Sequence, residues 1–130
     1  MTGIYALDFT RQGIFDALCE RRTFGTTGAR IIVDFRLDQL PMGSCLHTSA
    51  QSLTGYISVI GTDILTSIKI IRNGQTCHEW NPNTQQMITT WQEERTGNLP
   101  AQDKRDYYYA VVTQHNDEMA WTSPIFVYRK

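Results

Sequence analysis

The spacing of hydrophobic residues changes along the chain at Gly28. Before that position, Ile14, Ala17 and Leu18 recur at intervals of three and four residues, with polar residues between them. This pattern predicts a short amphipathic helix, and Thr10 is its predicted N-cap. Because a helix of about 12 residues is marginal on its own in water, we expect its apolar stripe to pack on another surface.

After Gly28 the hydrophobic spacing changes to two, which is typical of strands with one buried face. The predicted strands are centred on residues 31–37, 53–59, 68–70, 75–80, 87–91, 107–113 and 125–128. Asn73-Gly74 predicts a tight hairpin, and Gly55 predicts a bulge or a close approach of neighbouring atoms. Pro124 precedes the last strand, which favours an edge position because proline lacks a backbone donor.

The order of these elements predicts the fold class. Short strands with regularly spaced turns and no helix between them indicate a mainly β fold. The specific prediction is an immunoglobulin-like antiparallel β-sandwich of about seven strands, preceded by one short N-terminal α-helix. The chain of 130 residues fits one domain. We expect residues 1–28 to form a helix and turn segment that packs on a sandwich of residues 29–130, with a polar loop at residues 94–106.

Charge and composition narrow the range of partners. With 12 basic and 13 acidic side chains the net charge is −1, so neither nucleic acid nor a membrane is an expected partner. No stretch approaches the roughly 20 apolar residues that span a bilayer, and no signal-peptide pattern is present at the N-terminus. Three widely spaced cysteines, Cys19, Cys45 and Cys77, argue against a disulfide framework and slightly favour the cytoplasm.

Two stretches are similar to runs found in one bacterial family. Residues 21–31 read RRTFGTTGARI, and residues 120–127 read AWTSPIFV. Together with YYYAVVTQ at residues 107–114 and the pair Met42-Gly43, they resemble the C-terminal part of an uncharacterised family. Its members look like PHP-type (polymerase and histidinol phosphatase) metal-dependent hydrolases. The mild departures from the family pattern are Phe24, Gly25 and Thr122, where tyrosine, alanine and serine are usual.

The resemblance implies a role without chemistry of its own. Family members would carry their metal-binding His and Asp clusters in a larger N-terminal portion, so no family metal ligand carries over to this chain. The implied function is a non-catalytic accessory or interaction domain. Its partner would be the catalytic domain of a parent hydrolase, or a second copy of itself through exposed apolar faces. We therefore expect no enzymatic activity from this chain alone.

The junction between the predicted helix and the first strand is the strongest candidate site. Arg21, Arg22 and Arg30 supply three guanidinium groups, and Thr26 and Thr27 add hydroxyls beside a glycine turn. Guanidinium forks and backbone donors bind phosphates and carboxylates, so these five residues are predicted to contact an anion or an interface. The alternative is structural, with Arg22 and Arg30 pairing with nearby acids or capping helix carbonyls.

Cysteines and histidines give no clear metal site. Cys45 and His47 share a face if they lie on one strand, whereas the neighbours Cys77 and His78 are expected to point to opposite faces. The spacing also lacks the paired ligands of zinc sites. We therefore predict no metal and no cofactor. His115 lies in a polar segment and is predicted to belong to a solvated turn.

The tryptophans keep a second function open. Trp80, Trp91 and Trp121 would form a sugar-binding platform if they were exposed together, although aromatic residues at alternate strand positions more often belong to the core. The alternative is thus a free-standing β-sandwich module that binds a sugar or a phosphorylated metabolite. Strong quenching of tryptophan fluorescence by iodide would favour the platform, and weak quenching the core.

Overall fold

A computed structural model describes residues 1–95 and 105–129. Within these ranges lie one helix, α1 (Arg11–Cys19), and eleven strands. In chain order the strands are β1 (Thr2–Ile4), β2 (Thr23–Thr26), β3 (Ile32–Leu37), β4 (Leu40–Pro41), β5 (Cys45–His47), β6 (Ser52–Arg72), β7 (Gln75–Trp80), β8 (Thr84–Glu94), β9 (Arg105–Gln114), β10 (Met119–Thr122) and β11 (Ile125–Tyr128). Most of the predicted polar loop, residues 96–104, lies outside the described ranges. Within those ranges no helix has the length and apolar character to cross a bilayer.

Helix α1 begins where the sequence predicts. The backbone of Thr10 is extended, and its hydroxyl accepts a hydrogen bond from the backbone N–H of Gly13 at 3.0 Å. This bond satisfies one of the free donors of the first helical turn. After the helix, Arg21 adopts a left-handed conformation with φ of 58°, which turns the chain into β2.

The long strand β6 organises the sheet. Its first half pairs antiparallel with β3 and β8, and its second half pairs antiparallel with β7 and β9. Its register shifts between Ile60 and Leu65. Near this shift, the buried side-chain oxygen of Gln114 accepts hydrogen bonds from the backbone N–H groups of Thr62, at 2.7 Å, and Asp63, at 3.3 Å. Because both halves of one strand carry neighbours, the sheet curls around a single core.

Apolar side chains at alternate strand positions fill that core. On β3 the fully buried residues are Val33, Phe35 and Leu37, and on β9 they are Tyr108, Ala110 and Val112. Tyr107 and Tyr109 lie on the odd-numbered, more exposed face of β9. The N-terminal strands extend the sheet, since β1 pairs with β2, and β2 pairs with β10 beside β9.

The main sequence predictions of the fold are confirmed. The described chain is mainly β and largely antiparallel, with one short helix. Asn73 and Gly74 form the hairpin turn with φ of 51° and 87°. Gly55 permits a close approach, since a Cβ there would come within 2.3 Å of the Trp91 ring. The immunoglobulin-like arrangement stays a prediction.

Two strand predictions are wrong in detail. Residues 53–59 and 68–70 belong to one continuous strand, β6, rather than to two. Strand β11 is not at an edge, because it pairs with β9 on one side and in parallel with β5 on the other. Pro124 precedes β11, and its carbonyl accepts a hydrogen bond from the backbone N–H of Gly43, so the missing proline donor lies outside the ladder.

Candidate functional site

Helix α1 turns its bulky apolar side chains away from the sheet. Its buried residues are the small ones, Gly13 and Ala17, and a Cβ on Gly13 would come within 2.3 Å of the backbone oxygen of Asp8. Phe15 and Leu18 are 58% and 49% exposed. Ala17 therefore packs inward as predicted, but Leu18 does not, and the apolar face formed at three-residue spacing is left open.

The segment that leads into α1 adds to this exposure. Leu7 is 85% exposed and Phe9 is 96% exposed. We call Leu7, Phe9, Phe15 and Leu18 together the α1 apolar surface. Single exposed apolar residues are ordinary, but Phe15 and Leu18 are neighbours on one face of α1, and contiguous apolar patches are typical of interaction surfaces.

Arg21 and Arg22 of the predicted anion site line one cavity, whereas Thr26 and Thr27 lie at the far end of β2. Arg21 and Arg22 precede β2 and Thr27 follows it, so the rise of about 3.3 Å per strand residue separates them by more than about 10 Å. The guanidinium of Arg21 donates to the carbonyl of Gly43 at 2.9 Å. Arg22 pairs with Glu20 at 3.4 Å, which agrees with the structural alternative.

The two threonines are also engaged within the chain. The hydroxyl of Thr27 donates to a carboxylate oxygen of Glu118. Thr26 is buried, and its hydroxyl accepts a hydrogen bond from the backbone N–H of Gly28 at 3.3 Å. Arg30 is exposed. A role of these positions in anion or interface contact stays a prediction.

A second cluster, which the sequence did not predict, joins β7 to β8. Cys77 and His78 on β7 and Glu93 on β8 present a sulfur, a ring nitrogen and a carboxylate oxygen that all lie within 4.8 Å of one another. His78 Nε2 and Glu93 Oε2 are 2.6 Å apart. Glu93 is buried, at 4% exposure, so its carboxylate has left water for this contact.

The expectation that Cys77 and His78 point to opposite faces is wrong because β7 contains a β-bulge. His78 pairs with Ile70 and Thr76 with Ile71, which leaves Cys77 as an extra residue between them. A bulge interrupts the alternation of faces and re-aims a side chain. The thiol of Cys77 thereby approaches the carbonyl of Ile70 at 3.4 Å and faces the same region as the His78 ring.

The cluster combines the buried carboxylate of Glu93 with an exposed Cys77 and a partly exposed His78. Burial, followed by the charge of Glu93, raises the pKa of the Cys77 thiol to about 11. Burial likewise raises the pKa of Tyr108, with Glu93 among the neighbouring charges that raise it further. Within the described residues the Tyr108 hydroxyl has no hydrogen-bond partner. The thiolate of Cys77 and the phenolate of Tyr108 are therefore disfavoured unless a cation is present.

Aromatic rings fix one side of the cluster. The His78 ring stacks on Trp80 with centroids 5.9 Å apart and an interplanar angle of 12°. Trp80 meets Trp91 edge to face at 5.2 Å, and Trp91 stacks on the core residue Phe35. Trp121 lies on β10, at 39% exposure. The tryptophans thus form no shared flat platform of the kind expected for a sugar site.

A buried ionic network lies close to the cluster. Asp106 accepts hydrogen bonds from Arg72 at 3.0 Å, from Arg95 at 3.2 Å and from Asn73 at 2.8 Å. Arg95 is 0% exposed. Sequence reasoning missed this network because Arg95 and Asp106 lie at the two ends of a segment that was predicted to be a polar loop.

One sequence signal was available for Glu93. It continues the inward alternation of Met87, Thr89 and Trp91 along β8, so the period of two places a charged residue on the buried face. A buried charge requires a partner or a metal. No comparable signal existed for Cys77, because nothing in its local sequence identified the bulge.

The fold and these surfaces thus define a mainly β region with an uncovered apolar surface at α1. Residues 1–49 match a family described as a protein of unknown function (DUF3604). Proteins described as uncharacterized from Chlamydia muridarum and Chlamydia pneumoniae are each 32% identical to the chain, and one from Chlamydia trachomatis is 31% identical. No solved structure matches.

The matches cover nearly all of this chain but only a small part of each relative. Each includes 98% of this chain but only 22% of the relative. The chain therefore spans about a fifth of the length of the curated relatives it matches. It is similar to one region of larger uncharacterised proteins.

Proposed function

We propose that this chain is a non-catalytic accessory or interaction domain, and that its α1 apolar surface docks on another domain of the same, longer polypeptide. The observation that carries the proposal is the α1 apolar surface itself, in a chain whose relatives extend far beyond the matched region. Burying one large apolar side chain contributes about 1.5–3 kcal/mol. Covering four such side chains would therefore stabilise a domain contact substantially.

The size of the surface supports a tethered partner over a separate one. A stable complex between separate proteins usually buries about 1,200–2,000 Å² in total, which requires far more than four side chains. A domain in the same chain has an effective concentration in the millimolar range. A small apolar contact is then sufficient to hold it, and interfaces between domains are often smaller than those between proteins.

The resemblance to the C-terminal part of PHP-type hydrolases suggests what the docked domain does. In that arrangement the metal-dependent hydrolase chemistry belongs to the catalytic domain. The present chain packs beside the catalytic domain as an immunoglobulin-like sandwich and shields part of its surface. The proposal assigns no reacting group to this chain.

Sedimentation velocity of the isolated chain tests whether the surface is adhesive. We expect concentration-dependent self-association, because an uncovered apolar surface finds a second copy when its usual partner is missing. The Phe15→Ser/Leu18→Ser double variant should reduce it, whereas Ile88→Ser, which changes an apolar residue that is 69% exposed on β8, should not. A strict monomer at high concentration would contradict the proposal.

Thiol labelling tests whether another domain is the true occupant. Cys19 is exposed and follows Phe15 by four residues, so it lies on the same side of the helix. In the longer protein encoded by the complete reading frame, a variant that retains only Cys19 should react more slowly than in the isolated chain. A variant that retains only Cys45 serves as the control. Equal Cys19 rates in the two proteins would exclude a docked domain.

A further inference from the structure

We propose that Cys77, His78 and Glu93 form a binding site for a divalent transition-metal ion of the zinc class. This inference goes beyond the accessory role and does not depend on it. It rests on three different ligand groups that two neighbouring strands bring within 4.8 Å of one another. The site would hold the ion with three protein ligands and leave a fourth position for water or a small anion.

The donor set selects the kind of metal. A thiolate, an imidazole and a carboxylate supply one sulfur, one nitrogen and one oxygen, which suits zinc and related transition metals. Magnesium and calcium prefer oxygen ligands alone, so they are poor candidates here. Of the three proposed ligands, Cys77 also lines a neighbouring cavity, together with Arg72, Thr76 and Asp106.

The distances between the ligand atoms are close to those expected around a bound zinc ion. Zinc bonds of about 2.0–2.3 Å at tetrahedral angles place ligand atoms roughly 3.3–3.6 Å apart. His78 Nε2 and Glu93 Oε2 are closer than this, at 2.6 Å, because a hydrogen bond joins them. The ion would replace that bond and move the pair apart by less than about 1 Å. The Cys77 sulfur, which lies within 4.8 Å of both atoms, would approach them by up to about 1.5 Å to reach zinc-ligand spacing.

The ligands are held by features other than the metal. The bulge in β7 aims Cys77 toward His78, and the stack on Trp80 fixes the plane of the His78 ring. Glu93 is buried at the inward face of β8. Ligands whose orientation is already fixed lose less entropy on binding an ion.

Cobalt titration of the full chain, kept reduced, tests the proposal. Cobalt(II) replaces zinc and gives a thiolate-to-cobalt absorption band in the near ultraviolet when a cysteine is a ligand. We expect this band to grow to one equivalent and to disappear when zinc is added. Cys77→Ser should abolish it, and the matched controls Cys19→Ser and Cys45→Ser should retain it.

The other two ligands are tested by affinity. His78→Gln and Glu93→Gln keep the side-chain volume, and each should weaken zinc binding by more than about 100-fold, since even outer-shell changes typically cost 10- to 100-fold. Circular dichroism shows whether each variant retains its β structure. A simple His–Glu ion pair beside a thiol would give no cobalt band in the unmodified chain. That result, or a band that survives Cys77→Ser, would overturn the proposal.

Discussion

At the scale of single residues, the buried charges depend most on their partners. Asp106 is 4% exposed and lies between the guanidinium groups of Arg72 and Arg95. The fully buried Arg95 and the partly buried Arg72 both donate to this carboxylate, and Asn73 adds a further hydrogen bond. A pair of this kind is expensive to break, because removal of one partner leaves a buried charge without compensation.

Asp106→Asn should therefore destabilise the chain by about 3–5 kcal/mol, as measured by urea unfolding. The substitution keeps the shape of the side chain, removes its charge and replaces one acceptor oxygen with an amide donor. Asp34→Asn, at the more exposed pair with Arg36, is the control and should cost less than about 1 kcal/mol. Equal losses in the two variants would show that the buried network contributes no more than a surface ion pair.

The ionisation of Tyr5 is expected to lower the stability of the folded chain at alkaline pH. Its hydroxyl donates to the carbonyl of Val33 at 2.7 Å, and burial, followed by the charge of Asp34, raises its pKa from 10.0 to about 12. Between these values the unfolded state has lost the Tyr5 proton while the folded state keeps it. The free energy of unfolding therefore falls as pH rises from about 10 to about 12.

The Tyr5→Phe variant has no hydroxyl to titrate. The difference in unfolding free energy between wild type and variant therefore isolates the contribution of Tyr5. Near neutral pH it should be less stable by about 1 kcal/mol, because the Val33 carbonyl loses a donor. The gap between wild type and variant should narrow between pH 10 and pH 12 in urea unfolding measured across that range. A gap that stays constant would mean that Tyr5 ionises with the same pKa in both states.

At the scale of elements, local patterns predicted most of the fold. The N-cap at Thr10 and the hairpin at Asn73-Gly74 depend only on neighbouring residues, so both were recovered from the sequence. The length of β6 was not predicted correctly. Its buried positions are odd-numbered through Leu65 and even-numbered at Ile68 and Ile70, and this change of phase looks like two strands. The structure accommodates it as a register shift within one strand.

The cluster of Cys77, His78 and Glu93 could not be predicted from the sequence because an interruption of strand alternation hides it as well. A bulge also breaks the alternation of β7, and only the pairing with β6 reveals it. Cys77 and His78 come near Glu93 because two strands pair with different halves of β6, which is a property of the whole sheet. Local spacing contains no information about that proximity.

Gly13 shows that tertiary packing overrides helix propensity. Alanine is favoured over glycine inside a helix by about 1 kcal/mol, so propensity alone predicts that Gly13→Ala stabilises the chain. A Cβ there would lie 2.3 Å from the backbone oxygen of Asp8, and backbone cannot move aside as a side chain can. We expect a net loss of thermal stability. Gly25→Ala, where a Cβ would meet nothing within 4 Å, should show none, and a stabilised Gly13→Ala would contradict the packing argument.

At the scale of the whole molecule, the curled sheet joins its two halves through side chains. β7 pairs with the second half of β6 and β8 with the first half. The contact of His78 with Glu93 and that of Trp80 with Trp91 both link β7 to β8. A metal ion held by Cys77, His78 and Glu93 would therefore connect the two halves of β6, so its effect should extend beyond the local hairpin.

Zinc should accordingly stabilise the entire domain against unfolding. An ion that binds only the folded state raises the free energy of unfolding by about 2.7 kcal/mol at 100 times its dissociation constant, and a chelator should reverse the gain. Urea unfolding followed by tryptophan fluorescence, with and without zinc, measures the effect. Cys77→Ser should abolish the gain and Cys45→Ser should preserve it. If saturating zinc leaves the unfolding midpoint of the unmodified chain unchanged, the three side chains do not bind the ion.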